Sequence, residues 1–170
     1  MEGQSNSLPK PVRKPCQRFF FYFGYSPMEW TIEKIFITPE HQYKGFHGGP
    51  PGDSPMMEKE EIQCRAGLGI EEDRFFNYKE DFKGQITFFS ADVFDRILAE
   101  LNLDPAGHCP SLVRRNVITR GVELNAYIGK RFTIQGIEFE GSEECSPCAW
   151  MNHALKDGAH EALKGGGGLR

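Results

Sequence analysis

The sequence lacks most of the features that would assign a function class at sight. It has no run of about 18 apolar residues, so no segment reads as a membrane-spanning helix. It has no surplus of positive charge: 20 Lys and Arg stand against 24 Asp and Glu, for a net charge of −4. That balance disfavours a general nucleic-acid binder, which needs a basic surface to neutralise phosphates. The five cysteines are odd in number and scattered over 170 residues. This argues against a secreted disulfide framework and for a reducing cytoplasm. There is no phosphate-binding Gly-Lys loop, no dinucleotide glycine fingerprint and no nucleophilic serine elbow. The histidines His41, His47, His108, His153 and His160 share no metal-ligand spacing, and each reads as a loop or surface residue. His47, inside GFHGGPPG, is the first of them to test.

What is present fits one domain with its own core. Residues 1–27 differ from the rest. Ser, Pro, Lys and Arg dominate up to Arg18, and FFFYFGY follows over residues 19–25. Basic residues ahead of an apolar run imitate a signal peptide, but this run is short and aromatic, with no clean small-x-small cleavage site. A flexible or weakly docked extension is expected there, with the folded domain over residues 28–170.

Short strands are predicted along the domain. Residues 30–38 (WTIEKIFIT) alternate at Trp30 and Ile32, then at Ile35 and Ile37 after a slip, and Pro39 stops them. Residues 45–55 hold too much Gly and Pro for regular structure and read as an ordered loop. A second strand is expected over residues 57–64 and a glycine-containing turn over residues 67–74. Residues 85–89 read as a strand that runs into Ser90, a candidate N-cap. The amphipathic helix that follows reaches about Leu101, with Val93, Phe94, Ile97, Leu98 and Leu101 on one face. Residues 117–119 form a short strand, and residues 131–140 a pair bent at Gly136. A helix over residues 149–163 is interrupted near Asp157 and Gly158 and ended by the glycines of 165–168. The fold class is therefore mainly β, with a closed or partly closed barrel-like arrangement and one or two helices.

Residues 141–151 (GSEECSPCAWM) concentrate the chemistry. Cys145 and Cys148 form a C-x-x-C, and such a pair binds a soft metal, exchanges a disulfide or carries a sulfur atom. Structural zinc needs two further ligands, for which Cys109 and His108 are candidates. A thioredoxin-like redox pair needs a βαβ context, which the pattern does not display. Two small apolar core thiols are the plainest alternative. The fourth reading is a reactive thiolate at a pocket mouth, with Cys148 ahead of a helix-like segment. A second constellation lies in RRNVITRG, where Arg114, Arg115, Asn116, Thr119 and Arg120 flank a strand. Guanidiniums grip phosphate or carboxylate in a fork, and Asn adds a neutral donor and acceptor. The alternative is a solvated cluster of ordinary ion pairs. Asp73 and Arg74 read as a surface pair or a loop lock.

Together these stretches resemble a known family. Residues 114–148 (RRNVITRGVELNAYIGKRFTIQGIEFEGSEECSPC) are similar to the core of MOSC domains, the module at the C-terminus of molybdenum cofactor sulfurases. IEKIFITP resembles the first strand, GLGIEEDRFF the Gly-x-x-Gly-Asp-Arg segment, and QITFFSADVF the strand and helix after it. The likeness covers residues 28–170. It implies a β-barrel-like fold and a role in binding a molybdopterin-type molybdenum cofactor, or in carrying sulfur to or from it. It implies that Cys148 is the reactive thiol and a soft ligand of molybdenum. Arg115, Asn116, Arg120, Asp73 and Arg74 would then face the cofactor. The implied partners are that cofactor or a sulfur donor protein, with no nucleic acid and no membrane. The family also brings reduction of N-hydroxylated compounds in some stand-alone relatives, and pyridoxal phosphate binding among the sulfurases. Two departures stand out. Glu72 replaces the usual Gly before Asp-Arg, and relatives continue past GGGGLR into another strand, so an exposed edge is expected. The alternatives are a non-catalytic module for an anion or a partner, and a small zinc-stabilised domain.

Overall fold

A computed structural model describes residues 30–41 and 54–170, together with the backbone of a two-residue strand, β1 (Gln17–Arg18). The aromatic run at 19–25, the rest of the expected extension and most of the 45–55 loop with His47 lie outside the described residues.

The central sheet runs β3 (Met57–Lys59), β2 (Thr31–Ile37), β7 (Val117–Arg120), β6 (Phe88–Ser90). Its strands carry consecutive apolar residues because both faces are covered. Alternation sends Ile35, Ile37, Phe88 and Val117 into one core, with Ile62, Ile70, Phe132, Ile134, Ile137 and Leu169. Their neighbours Phe36, Phe89 and Ile118 enter a second core against α1 (Ala91–Glu100), where they meet Phe94, Ile97, Leu98, Trp150 and Met151. Burying each such side chain is worth about 1.5–3 kcal/mol, so the sheet is held from both sides. The slip in the alternation of residues 30–38 is a register shift between Ile32 and Lys34, where β2 pairs with β7.

Ser90 caps α1 as expected, its hydroxyl accepting from the Val93 N–H at 3.3 Å. The helix carries the chain from β6 to β7, which are parallel. β6, α1 and β7 therefore make a βαβ unit that the sequence pattern concealed. β6 is three residues long, and 3-10 turns at Pro105–Gly107 and Pro110–Val113 separate the helix from β7. Cys145 and Cys148 are not on this unit.

The alternating run at 57–64 is two strands, β3 and β4 (Gln63–Arg65), which serve different sheets. β4 pairs with β1 and with β5 (Gly69–Ile70). β8 (Arg131–Ile134) and β9 (Ile137–Glu140) form the expected hairpin, turning through Gln135 and Gly136, both at positive φ. Among the described residues the ladders remain in three sheets and do not close into one barrel. Strands of two or three residues are too short to carry a continuous ladder around. Sheet with few helices is nonetheless the architecture. The helix expected over 149–163 is two short ones, α2 (Trp150–Ala154) and α3 (Ala159–Ala162), parted where Gly158 adopts φ 97°.

The edge of β6 away from β7 is met by Leu169, which is fully buried and bridges both Phe88 and Glu144. At Gly168, with φ 102°, a Cβ would strike the Phe88 carbonyl. At Gly167 it would strike the Cys145 carbonyl and the Pro147 ring. These two glycines let the chain lie against β6 on one side and the cysteine loop on the other. No helix of the described residues is long and apolar enough to cross a membrane.

Candidate functional site

The head of β7 gathers the polar chemistry. The 3-10 turn Pro110–Val113 ends in Arg114, which takes a left-handed conformation (φ 56°, ψ 41°) unusual for a side-chain-bearing residue. That turn aims the guanidinium inward, so Arg114 is only 8% exposed. It donates to the Ser54 and Glu40 carbonyls at 3.3 and 3.4 Å and lies over the Trp150 ring, 5.6 Å from its centroid. The Arg74 side chain is also 8% exposed. It donates to the Arg114 carbonyl at 3.5 Å and covers the Phe75 ring at 4.7 Å.

Asp73 is the carboxylate these two share. One oxygen accepts from the Phe75 N–H at 3.1 Å. The other accepts from the Thr38 N–H at 3.2 Å and the Asn116 side-chain amide at 3.1 Å, with Arg74 Nη1 at 3.9 Å. Asn116 is 1% exposed and satisfied by protein. Its amide nitrogen also donates to the Phe36 carbonyl, and its oxygen accepts from the Thr87 N–H and hydroxyl at 3.1 and 2.7 Å. Asp73 and Asn116 thus lock strands and loop together.

The electrostatics follow from burial. Desolvation pushes Arg114 down to about 10, and repulsion from Arg74 adds to it, while Asp73 opposes both. Arg74 is lowered first by burial, then restored in part by Asp73 and lowered again by Arg115. Two guanidiniums therefore sit close together in a setting where burial disfavours their charged forms.

Arg115 spends its donors on backbone. Nε donates to the Gly167 carbonyl at 3.1 Å, Nη1 to the Val113 carbonyl at 3.0 Å, and Nη2 to the Cys145 carbonyl at 2.9 Å. The cysteine loop is held further by the Cys145 N–H on the Gly168 carbonyl at 2.7 Å, and by the Ser142 N–H on the Arg170 carbonyl at 2.7 Å. Cys145 is 7% exposed and within electrostatic reach of Arg74, whereas Cys148 is exposed.

A family model of the MOSC domain matches residues 43–166. The chain belongs to the MOSC domain family. The crystal structure of the YuaD protein from Bacillus subtilis is similar to it with a TM-score of 0.59 and 16% identity, over 82% of this chain and 87% of that one. At that identity the likeness speaks to the fold. No curated protein sequence matches the chain.

In this MOSC domain a cleft of about 340 Å³ opens beside Arg114, lined also by Met56, Ser111, Leu112, Trp150 and His153. Trp150 is fixed by its indole N–H on the Leu112 carbonyl at 2.8 Å, and His153 packs on it at 5.2 Å between ring centroids. Cys148 lies two residues ahead of Trp150, its carbonyl accepting from the Met151 N–H at 3.0 Å. The cysteine loop thus leads directly into α2, whose Trp150 and His153 line the cleft.

Arg120 belongs elsewhere. It sits at the far end of β7, ion-paired with Glu33, Asp92 and Asp95. The Glu33 hydrogen bond, then that of Asp95, holds it above the ordinary arginine range. Thr119 is fully buried and donates to the Phe89 carbonyl at 3.4 Å. His108 pairs with the Asp104 carbonyl at 2.8 Å, and His41 packs edge-on to Phe75. His160 accompanies α3, its backbone N–H on the Asn152 side-chain oxygen. No group of three or more His, Cys, Asp or Glu suited to a metal occurs among the described residues.

A larger cavity, about 430 Å³, opens between β4, residues 81–86 and the β8–β9 hairpin, and neither the C-x-x-C nor any arginine of 114–120 lines it. Sequence reading missed Trp150, His153, Ser54 and Gly167. Only Trp150, two positions past Cys148, carried a local hint.

Proposed function

We propose that this MOSC domain binds an anionic, ring-bearing cofactor of the molybdopterin type at the cleft beside Arg74 and Arg114, with Cys148 as the soft thiol next to it. The supporting observation is the buried Arg114 guanidinium lining a cavity walled by Trp150 and His153, with Arg74 and Asp73 close enough to shift its charge. The donor set fits such a group. Guanidiniums suit phosphate oxygens, flat rings suit a pterin, and a thiolate suits a soft metal. When bound, the cofactor would supply two-electron redox or sulfur chemistry, for which N-hydroxylated compounds are one class of substrate.

The chain's own residues divide the work. Arg114, which lines the cleft, binds the anion, and Arg74 beside it adds positive charge. Asp73 and Asn116 orient them rather than touch the ligand, since both are satisfied within the protein. Arg115 sets the height of the cysteine loop. Cys148, being exposed, is open to a sulfur donor protein in the cytoplasm. Arg120 takes no part.

A module that holds an anion without thiol chemistry is the second reading, favoured by the same cleft. Pyridoxal phosphate shares the anion and the ring, but its chemistry needs a lysine, and none of the described residues lining the cleft is one. A zinc-stabilised domain would need a ligand cluster that the described residues do not form.

Expression in a host that makes molybdenum cofactor tests the proposal. Wild type is expected to co-purify with molybdenum and pterin. Arg114→Asn, which suits the left-handed backbone but removes the charge, loses both. Cys148→Ser loses metal or carried sulfur, and Cys145→Ser matters less to loading. No metal, no pterin and no added sulfur on wild type contradicts the proposal. Anion binding that Cys148→Ala leaves intact, with no metal or sulfur, selects the second reading.

A further inference from the structure

The two thiols of the C-x-x-C sit in opposite settings. Cys148 is exposed, whereas Cys145 is buried. Cys145 is also pinned at both backbone ends, its N–H on the Gly168 carbonyl and its carbonyl under Arg115, with Arg74 within electrostatic reach. Only Ser146 and Pro147 separate them, a spacing at which two sulfurs can meet. A sulfur-loading role for Cys148 leaves Cys145 without a task, yet its backbone is bonded on both sides.

We infer that Cys145 is a second reacting thiol, which resolves a persulfide carried by Cys148 and releases its sulfur as hydrosulfide. This rests on the sulfur-carrying side of the proposed function. The Cys145 thiolate attacks Cys148 Sγ. The bond between the two cysteine sulfurs forms as the bond from Cys148 Sγ to the outer sulfur breaks. The outer sulfur leaves with that electron pair as hydrosulfide. It is thereby reduced by two electrons, and the two cysteines are oxidised to a disulfide. An external dithiol reductant returns the pair to thiols. The attacking sulfur is held in place by a fixed backbone, so the exposed partner makes the approach. Arg115 is then a positioning residue for this step. Cys64 on β4 and Cys109 ahead of the Pro110–Val113 turn are not on this loop.

The test loads the full chain with a single equivalent of glutathione persulfide, removes small molecules, and follows hydrosulfide and intact mass. Wild type is expected to release hydrosulfide, lose the mass of two hydrogens and yield a peptide cross-linked between Cys145 and Cys148. Cys145→Ala, which keeps a small apolar side chain in the buried position, is expected to retain one added sulfur on Cys148. It releases no hydrosulfide above the Cys148→Ser background. Its melting temperature is read alongside, and Cys145→Ser replaces it should alanine fail to fold. A wild type that holds its persulfide as stably as Cys145→Ala overturns the inference while leaving the sulfur-carrying reading intact. So does a cross-link from Cys148 to Cys109 instead. Sulfur that never reaches Cys148 in either protein overturns both.

Discussion

The two ends of β7 carry arginines of identical charge, and the fold treats them in opposite ways. At the tail, Arg120 reaches solvent among Glu33, Asp92 and Asp95, and its cation is over-supplied with counter-charge. At the head, Arg114 is buried against Trp150 beside a second guanidinium, and burial and that neighbour hold its pKa down. The first arrangement is complete in itself. The second is buried beside a cleft and is the one we propose as the ligand site. Burial and neighbours, not residue type, separate a surface ion cluster from a buried guanidinium beside a cleft.

Removing the head's carboxylate should have the largest effect. Asp73→Ala removes the carboxylate beside buried Arg74 and the acceptor of the Thr38, Phe75 and Asn116 donors, and is expected to cost about 3–5 kcal/mol in urea unfolding. A cost near that of a surface substitution would mean that the head is solvated like the tail. Arg115→Ala comes next. It leaves three carbonyls without charged donors, for a loss of about 1.5–3 kcal/mol. Alkylation of Cys145 should also accelerate as the loop lifts. Arg120→Ala, at the exposed tail, is expected to cost under about 1 kcal/mol, and less as salt is raised.

Stability should rise with pH at both ends, in the acid range at the tail and in the alkaline range at the head. The Gly121 N–H, then Arg120, holds the Asp92 carboxyl below its usual range. Its contribution is present above the ordinary carboxylate value of about 4 and lost as pH falls through the lower folded value. Asp92→Asn should remove that small acid slope. Burial pushes Arg114 down to about 10, below the ordinary arginine range, so the cost of burying its charge fades as pH rises through that value. Arg114→Asn should remove this alkaline slope while Arg120→Ala leaves it.

Much of the local structure was legible in the sequence. The slip between Ile32 and Ile35 marked the register shift, Ser90 marked the start of α1, and Gly136 marked the hairpin. Each is a signal carried by neighbouring residues. The C-x-x-C was equally plain, and the family likeness put the loop in a MOSC domain. What stayed hidden depends on distant partners. Arg115 reads as a phosphate fork until the Gly167 and Cys145 carbonyls, 52 and 30 residues away, take its donors. Asp73 reads as either a surface pair or a loop lock, and only Thr38 and Asn116, distant in sequence, decide for the lock. The run at 57–64 alternates as one strand because nothing local reveals that β3 and β4 leave for different sheets.

The central claim is that the head of β7, and not its tail, takes a phosphate-bearing ligand. Calorimetric titration of the purified chain with inorganic pyrophosphate tests it most directly. Saturable binding that survives Arg120→Ala and disappears in folded Arg114→Asn is the result predicted. Binding that survives Arg114→Asn but is lost in Arg120→Ala, or no binding to wild type at all, contradicts the account.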